Sequence, residues 1–151
     1  VDFTRNNIAH HPYQAFDNVR HTLRLLSDSN YLLGLCTGNI PGVSSLKTSN
    51  IGIQKYFRFA GYGDISTDRS EIARQSLTNL YETLLVDKPI NPNDYYIVGD
   101  TPHDIQSALQ NGYQAIGVAS GIYTHEQLIQ AGADNVIDRF EELLRLPFIK
   151  I

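Results

Sequence analysis

A single cysteine, Cys36, stands among 151 residues, and there is no methionine, no basic run and no long apolar stretch. One cysteine excludes an internal disulfide and fits a reducing compartment, so the expected location is the cytoplasm. No apolar run approaches the ~18 residues of a membrane-spanning helix, so no membrane contact is expected. The N-terminal stretch does not read as a signal peptide. A formal net charge of −4 argues against a non-specific nucleic-acid binder. The nine tyrosines show no stacking pattern that would suggest nucleic acid. Lacking methionine and opening on Val1, the sequence reads as a piece of a longer protein.

What is present describes a globular domain. Hydrophobic residues make up 42% and charged residues 19%, and the length suffices for one sizeable core. Residues 1–12 are polar and irregular. After Pro12, Phe16, Val19, Leu23 and Leu26 follow a helical stripe. Short apolar runs at Tyr31–Cys36, Phe57–Tyr62, Tyr95–Val98, Tyr113–Ala119 and Val136–Asp138 read as strands. Helices are expected over Pro41–Asn50, Arg69–Val86 capped by Asp68, Pro102–Gln110 capped by Thr101, Thr124–Gln130 and Phe140–Leu146. Lys88–Asn93, with Pro89 and Pro92, is a loop. This alternation demands crossover connections, hence an α/β fold with a doubly wound, mainly parallel sheet.

Three polar groups sit at the ends of these strands. In YYIVGDTPHDI, residues 95–105, a buried strand breaks at Gly99 into Asp100 and Asp104. Pro102 suits the first position of a helix, so Asp104 lies in its first turn and both carboxylates face one crevice. Two hard oxygen ligands in a small polar space suit Mg²⁺. Thr37-Gly38-Asn39 offers a hydroxyl and backbone N–H groups to a phosphate oxygen. Arg69 opens a long helix, from which a guanidinium can reach back over the strand ends. Thr37, Arg69 and Asp100 are spaced by 32 and 31 residues, about one strand–helix unit each. They can therefore converge on one sheet edge as a Mg²⁺-assisted phosphoryl site.

Here the chain resembles the haloacid dehalogenase superfamily of phosphohydrolases, in particular its phosphoglycolate-phosphatase-like branch. LLGLCTGN matches the second family motif, DRSEI the third and GDTPHDI the fourth. The tail AIGVASGIYTHEQLIQAGADNVID is similar to that branch as well. The resemblance implies that Thr37 hydrogen-bonds the transferring phosphoryl group, assisted by the backbone N–H groups of Gly38 and Asn39. Arg69, where the family usually has Lys, would neutralise phosphoryl charge. Asp100 would bind Mg²⁺ directly, and Asp104 directly or through a water. The first motif, Asp-x-Asp-x-Thr, supplies the family's nucleophile and is not in this sequence; Val1-Asp2-Phe3-Thr4 lacks its second carboxylate. Residues 1–12 would then be the end of a cap or a linker, and 13–151 a core lacking its first strand.

The expected activity is hydrolysis of a small phosphorylated metabolite through an aspartyl-phosphate. Its nucleophile strand would come from an upstream segment or a partner chain. The alternative is a catalytically silent module that binds phosphate or Mg²⁺ or depends on a partner. A receiver-like phosphoacceptor ranks lower, because its acidic cluster would precede the Thr and the cation. Cys36 reads as a packing residue, His103 as a solvated first-turn residue, and Asp138 as a cap for the helix at Phe140. His10 and His11 lack metal spacing.

Overall fold

The computed structural model describes residues 18–85 and 91–151. Residues 1–12, Phe16, Val86 and Pro89 lie outside the described residues. Helix α1 (Val19–Asp28) forms on the apolar stripe and buries Thr22, Leu23 and Leu26. Strand β1 (Leu33–Thr37) leads to α2 (Pro41–Asn50), whose Pro41 falls in the first turn, where a missing N–H costs nothing. A short 3-10 turn (Gln54–Tyr56) precedes β2 (Phe57–Tyr62). Helix α3 (Arg69–Leu84) is capped by Asp68, whose side chain accepts the Ser70 N–H. Strand β3 (Tyr96–Gly99) is followed by α4 (Pro102–Gln110), which opens on a capping box between Thr101 and Asp104. Then come β4 (Gln114–Val118), α5 (His125–Gln130) with a second capping box, and β5 (Asn135–Ile137).

All strand pairings are parallel, as the alternation predicts. Among the described residues they fall into two ladders, however: β1–β2 and β3–β4–β5. Among the described residues β4 has a partner on each side and buries four of its five residues; β1 has one partner and buries none. Ala115 of β4 enters one core with Ile97, Ile105, Ala108 and Leu128, and Ile116 and Val118 enter another with Leu26, Ile137 and Leu143. The period of two along β4 thus feeds a layer on each face, which is the doubly wound arrangement. Cys36 of β1 and Ala73 of α3 pack with the first of these cores, so the two ladders share one interior.

One expectation at the C-terminus is corrected. The helix expected at Phe140 forms, as a 3-10 helix over Phe140–Arg145, but its N-cap, Arg139, makes no side-chain cap. Asp138 does not cap it. Its carboxylate faces His125 Nδ1 at 3.4 Å, and its N–H donates to Glu142 Oε2 at 3.2 Å. Among the described residues no helix is long and apolar enough to cross a membrane.

Candidate active site

Thr37 ends β1, and the chain turns at once through Gly38 and Asn39. The Thr37 hydroxyl oxygen accepts two hydrogen bonds, from the Asn39 backbone N–H at 3.2 Å and from Asn39 Nδ2 at 3.0 Å. Lys47, on α2, donates to Asn39 Oδ1 at 3.2 Å. The Asn39 carbonyl accepts the Gly63 N–H at 3.1 Å, locking this turn to the exit of β2. A Cβ on Gly63 would lie 2.1 Å from the Gly38 carbonyl oxygen, so only glycine fits that approach. Thr37 and Asn39 are half-buried and Gly38 is exposed.

Arg69 is the first residue of α3 and is half-buried. Its neighbour Asp68 is occupied by the helix N-terminus, accepting the Ser70 N–H at 2.9 Å, and among the described residues Arg69 forms no ion pair. Its guanidinium carbon lies 4.0 Å from where a Gly38 Cβ would sit, beside the Thr37 turn. The first turn of α3 is anchored to α4. Asn111 Nδ2 donates to the Ser70 carbonyl at 2.9 Å and to the Ser107 carbonyl at 2.8 Å, and the Ser70 hydroxyl meets Gln110 Oε1.

Asp100 follows β3 and is exposed. Asp104, half-buried, turns one carboxylate oxygen to the cap: Oδ2 accepts the Thr101 N–H at 3.2 Å and the Thr101 hydroxyl at 2.8 Å. A Cβ on Gly99 would stand 2.3 Å from Asp104 Cβ. The strand end and the first helical turn therefore touch, which keeps Asp104 over the end of β3 near Asp100. On the other side, a Cβ on Gly121 would stand 2.7 Å from Asp100 Oδ2.

Cys36 precedes Thr37 on β1. Burial pushes its thiol up to about 11; the Arg69 cation pulls the other way, and the Asp104 carboxylate adds to the rise. Arg69 stands beside the Thr37 turn at the end of β1, and Asp100 and Asp104 stand at the end of β3. His103 is exposed, and among the described residues no group of three or more His, Cys, Asp or Glu is placed to hold a metal ion. Sequence reasoning did not single out Lys47, Gly63, Asn111 or Gly121. Gly121 carried a partial signal, as part of a polar turn after β4.

A family model described as haloacid dehalogenase-like hydrolase matches residues 2–118. The chain is 29% identical over 133 residues to "Probable phosphatase IndB" of Dickeya dadantii (strain 3937), covering 88% of this chain and 56% of that protein. It is 25% identical over 134 residues to "Pyrophosphatase PpaX" of Bacillus pumilus (strain SAFR-032), covering 87% and 58%. It thus spans a little over half the length of these curated relatives. A solved structure titled as a predicted phosphoglycolate phosphatase, from Haemophilus somnus 129pt, is similar with a TM-score of 0.78 at 20% identity, covering 95% of this chain and 61% of that one. At that identity the likeness speaks for the fold. With the family model matched over far more than half of its length, the chain belongs to the haloacid dehalogenase-like hydrolase family.

Proposed function

We propose that this chain forms the core of a Mg²⁺-dependent phosphatase that hydrolyses a small phosphate ester. The observation that carries the reading is the Arg69 guanidinium beside the Thr37 turn, together with Asp104 held over the end of β3 next to Asp100. The names of the two curated relatives support a phosphate-bearing substrate.

In this reading the Thr37 hydroxyl donates to a phosphoryl oxygen, and Arg69 balances the charge that builds there as the ester bond weakens. Asp100 and the oxygen of Asp104 not engaged by Thr101 form a hard, all-oxygen donor pair, which fits an ion that takes one or two carboxylates and keeps its remaining positions for water and phosphate. Mg²⁺ bound there would neutralise phosphoryl charge. The nucleophile is a carboxylate outside the sequence given. It attacks phosphorus, the ester P–O bond breaks and the alcohol leaves. Water then hydrolyses the aspartyl-phosphate, releasing inorganic phosphate and the free carboxylate.

Among the described residues β1 and β3 each keep an unpaired edge, which supports a further parallel strand between the ladders, from an upstream segment or a partner chain, carrying that carboxylate. The absence of Asp-x-Asp-x-Thr from this sequence favours a second reading for the chain by itself, a phosphate- or Mg²⁺-binding module without turnover. The test is Mg²⁺-dependent hydrolysis of an aryl phosphate by the natural protein containing this chain. Asp100→Asn is expected to abolish it while leaving the melting temperature unchanged; turnover at the wild-type rate would remove Asp100 from the site.

A further inference from the structure

We propose that Lys47 is a positioning residue which, acting through Asn39, fixes the Thr37 hydroxyl as an outward-pointing donor. The chain of reasoning begins with what each group can do. An ammonium only donates, so the atom of Asn39 that faces Lys47 Nζ at 3.2 Å is the amide oxygen. That choice turns Nδ2 the other way, onto Thr37 Oγ1 at 3.0 Å. The Asn39 backbone N–H reaches the same oxygen at 3.2 Å. A hydroxyl oxygen has two lone pairs, and these two donors use both. The hydroxyl can then engage a further partner only by giving its proton, and among the described residues no acceptor takes it.

The sequence allows this because helical side chains lean toward the helix N-terminus. From the seventh position of α2, the Lys47 stem runs back along the helix to the turn that precedes it. Remove the ammonium and the amide is free to rotate. Its oxygen could then face Thr37, and the hydroxyl would spend its proton inward. Lys47 thus selects one of two amide orientations, and with it the polarity that the Thr37 hydroxyl shows to a ligand. A ligand that accepts without donating, such as a phosphoryl oxygen, matches that polarity. The use of the outward donor rests on the phosphatase reading; the relay from Lys47 to Thr37 does not.

Two measurements on the natural protein separate the two. First, without ligand, the Asn39 side-chain amide proton resonances are followed by nitrogen-resolved NMR. They are expected to shift in Lys47→Met and to return toward wild type in Lys47→Arg; unchanged resonances in Lys47→Met would overturn the relay whatever the binding data say. Second, inorganic phosphate is titrated calorimetrically. Lys47→Met is expected to weaken binding by about 5–10-fold, the value of one hydrogen bond, and Lys47→Arg to restore most of it. Asn39→Ala is expected to weaken binding at least as much, with no further loss when Lys47→Met is added. A loss from Lys47→Met that persists in the Asn39→Ala background would overturn the relay, because the ammonium would then act on the phosphate directly. Equal affinities for wild type and Thr37→Val would instead overturn the phosphatase reading, leaving the amide resonances to decide the relay.

Discussion

Replacing Gly121 by Ala adds one methyl group opposite Asp100. The new Cβ would stand 2.7 Å from Asp100 Oδ2, while ordinary contact begins at 3.4 Å. The carboxylate must therefore retreat by about 0.7 Å or rotate away; the backbone need not move, because the nearest atom is the end of an exposed side chain. Stability should stay within ~0.5 kcal/mol of wild type, as for a surface substitution away from packed features. Metal affinity should not. Mg²⁺ demands near-ideal octahedral geometry with oxygens at roughly 2.0–2.1 Å, so a ligand displaced by several tenths of an ångström is held poorly. The expected loss is about 10–100-fold in Mg²⁺ affinity or in turnover at limiting Mg²⁺, as when outer supports of a metal ligand are altered. The assay is a Mg²⁺ titration of aryl phosphate hydrolysis, alongside thermal unfolding of the same variant. Wild-type Mg²⁺ dependence in a folded Gly121→Ala protein would refute the placement of the metal at Asp100.

Other substitutions probe other parts of the site. Arg69→Ala should lower turnover by about 10²–10³-fold, the scale of one lost transition-state donor, with little change in melting temperature; an unchanged rate would return Arg69 to an ordinary surface residue. Thr101→Ala removes the side-chain cap of α4 and the hydroxyl contact to Asp104 Oδ2, leaving only the backbone N–H on that oxygen, so it should cost ~1 kcal/mol in denaturant unfolding as well as reduce Mg²⁺ affinity. A fully stable variant would contradict the capping box. The Cys36 thiol, raised by burial from 9.0 to about 11, is favoured by the fold in its neutral form. Its contribution is fully present below pH 9.0 and is lost as pH rises toward about 11. The stability of wild type should therefore fall more steeply than that of Cys36→Ala across that window, and parallel curves would refute the assignment.

The parts of this molecule that could be read from sequence are those set by local chemistry. Thr101, Thr124 and Asp68 cap α4, α5 and α3 because a side-chain oxygen there meets helix N–H groups within three residues. Pro41 and Pro102 mark helix starts for the same local reason. What depended on distant partners was harder to see. The apolar runs of β1 and β3 identify strands but do not state which neighbours they have, so the division into two ladders emerges only from the pairing. At Phe140 the sequence has helical character, but whether it closes as an α or a 3-10 turn is a matter of tertiary fit; Asp138, free to cap, turns to His125 instead.

The candidate site divides in the same way. The strand-end positions of Thr37 and Asp100 and the first-turn position of Asp104 were legible from the break between apolar run and helix. The helix-start position of Arg69 was legible too. Their supports were not. Asn111 holds the first turn of α3 from across α4, more than forty residues away in the chain. Lys47 acts on Thr37 through an amide, a link that no residue-type pattern announces. Gly121 matters for what stands opposite it rather than for its own turn.

The most direct test is a crystal structure of the natural protein with Mg²⁺ and inorganic phosphate. The expected result is a phosphate oxygen within hydrogen-bond distance of Thr37 Oγ1, the Arg69 guanidinium against the same anion, and Mg²⁺ coordinated by Asp100 between β1 and β3. Phosphate bound away from the Thr37 turn, or a metal ion that ignores Asp100 and Asp104, would contradict the assignment of this site.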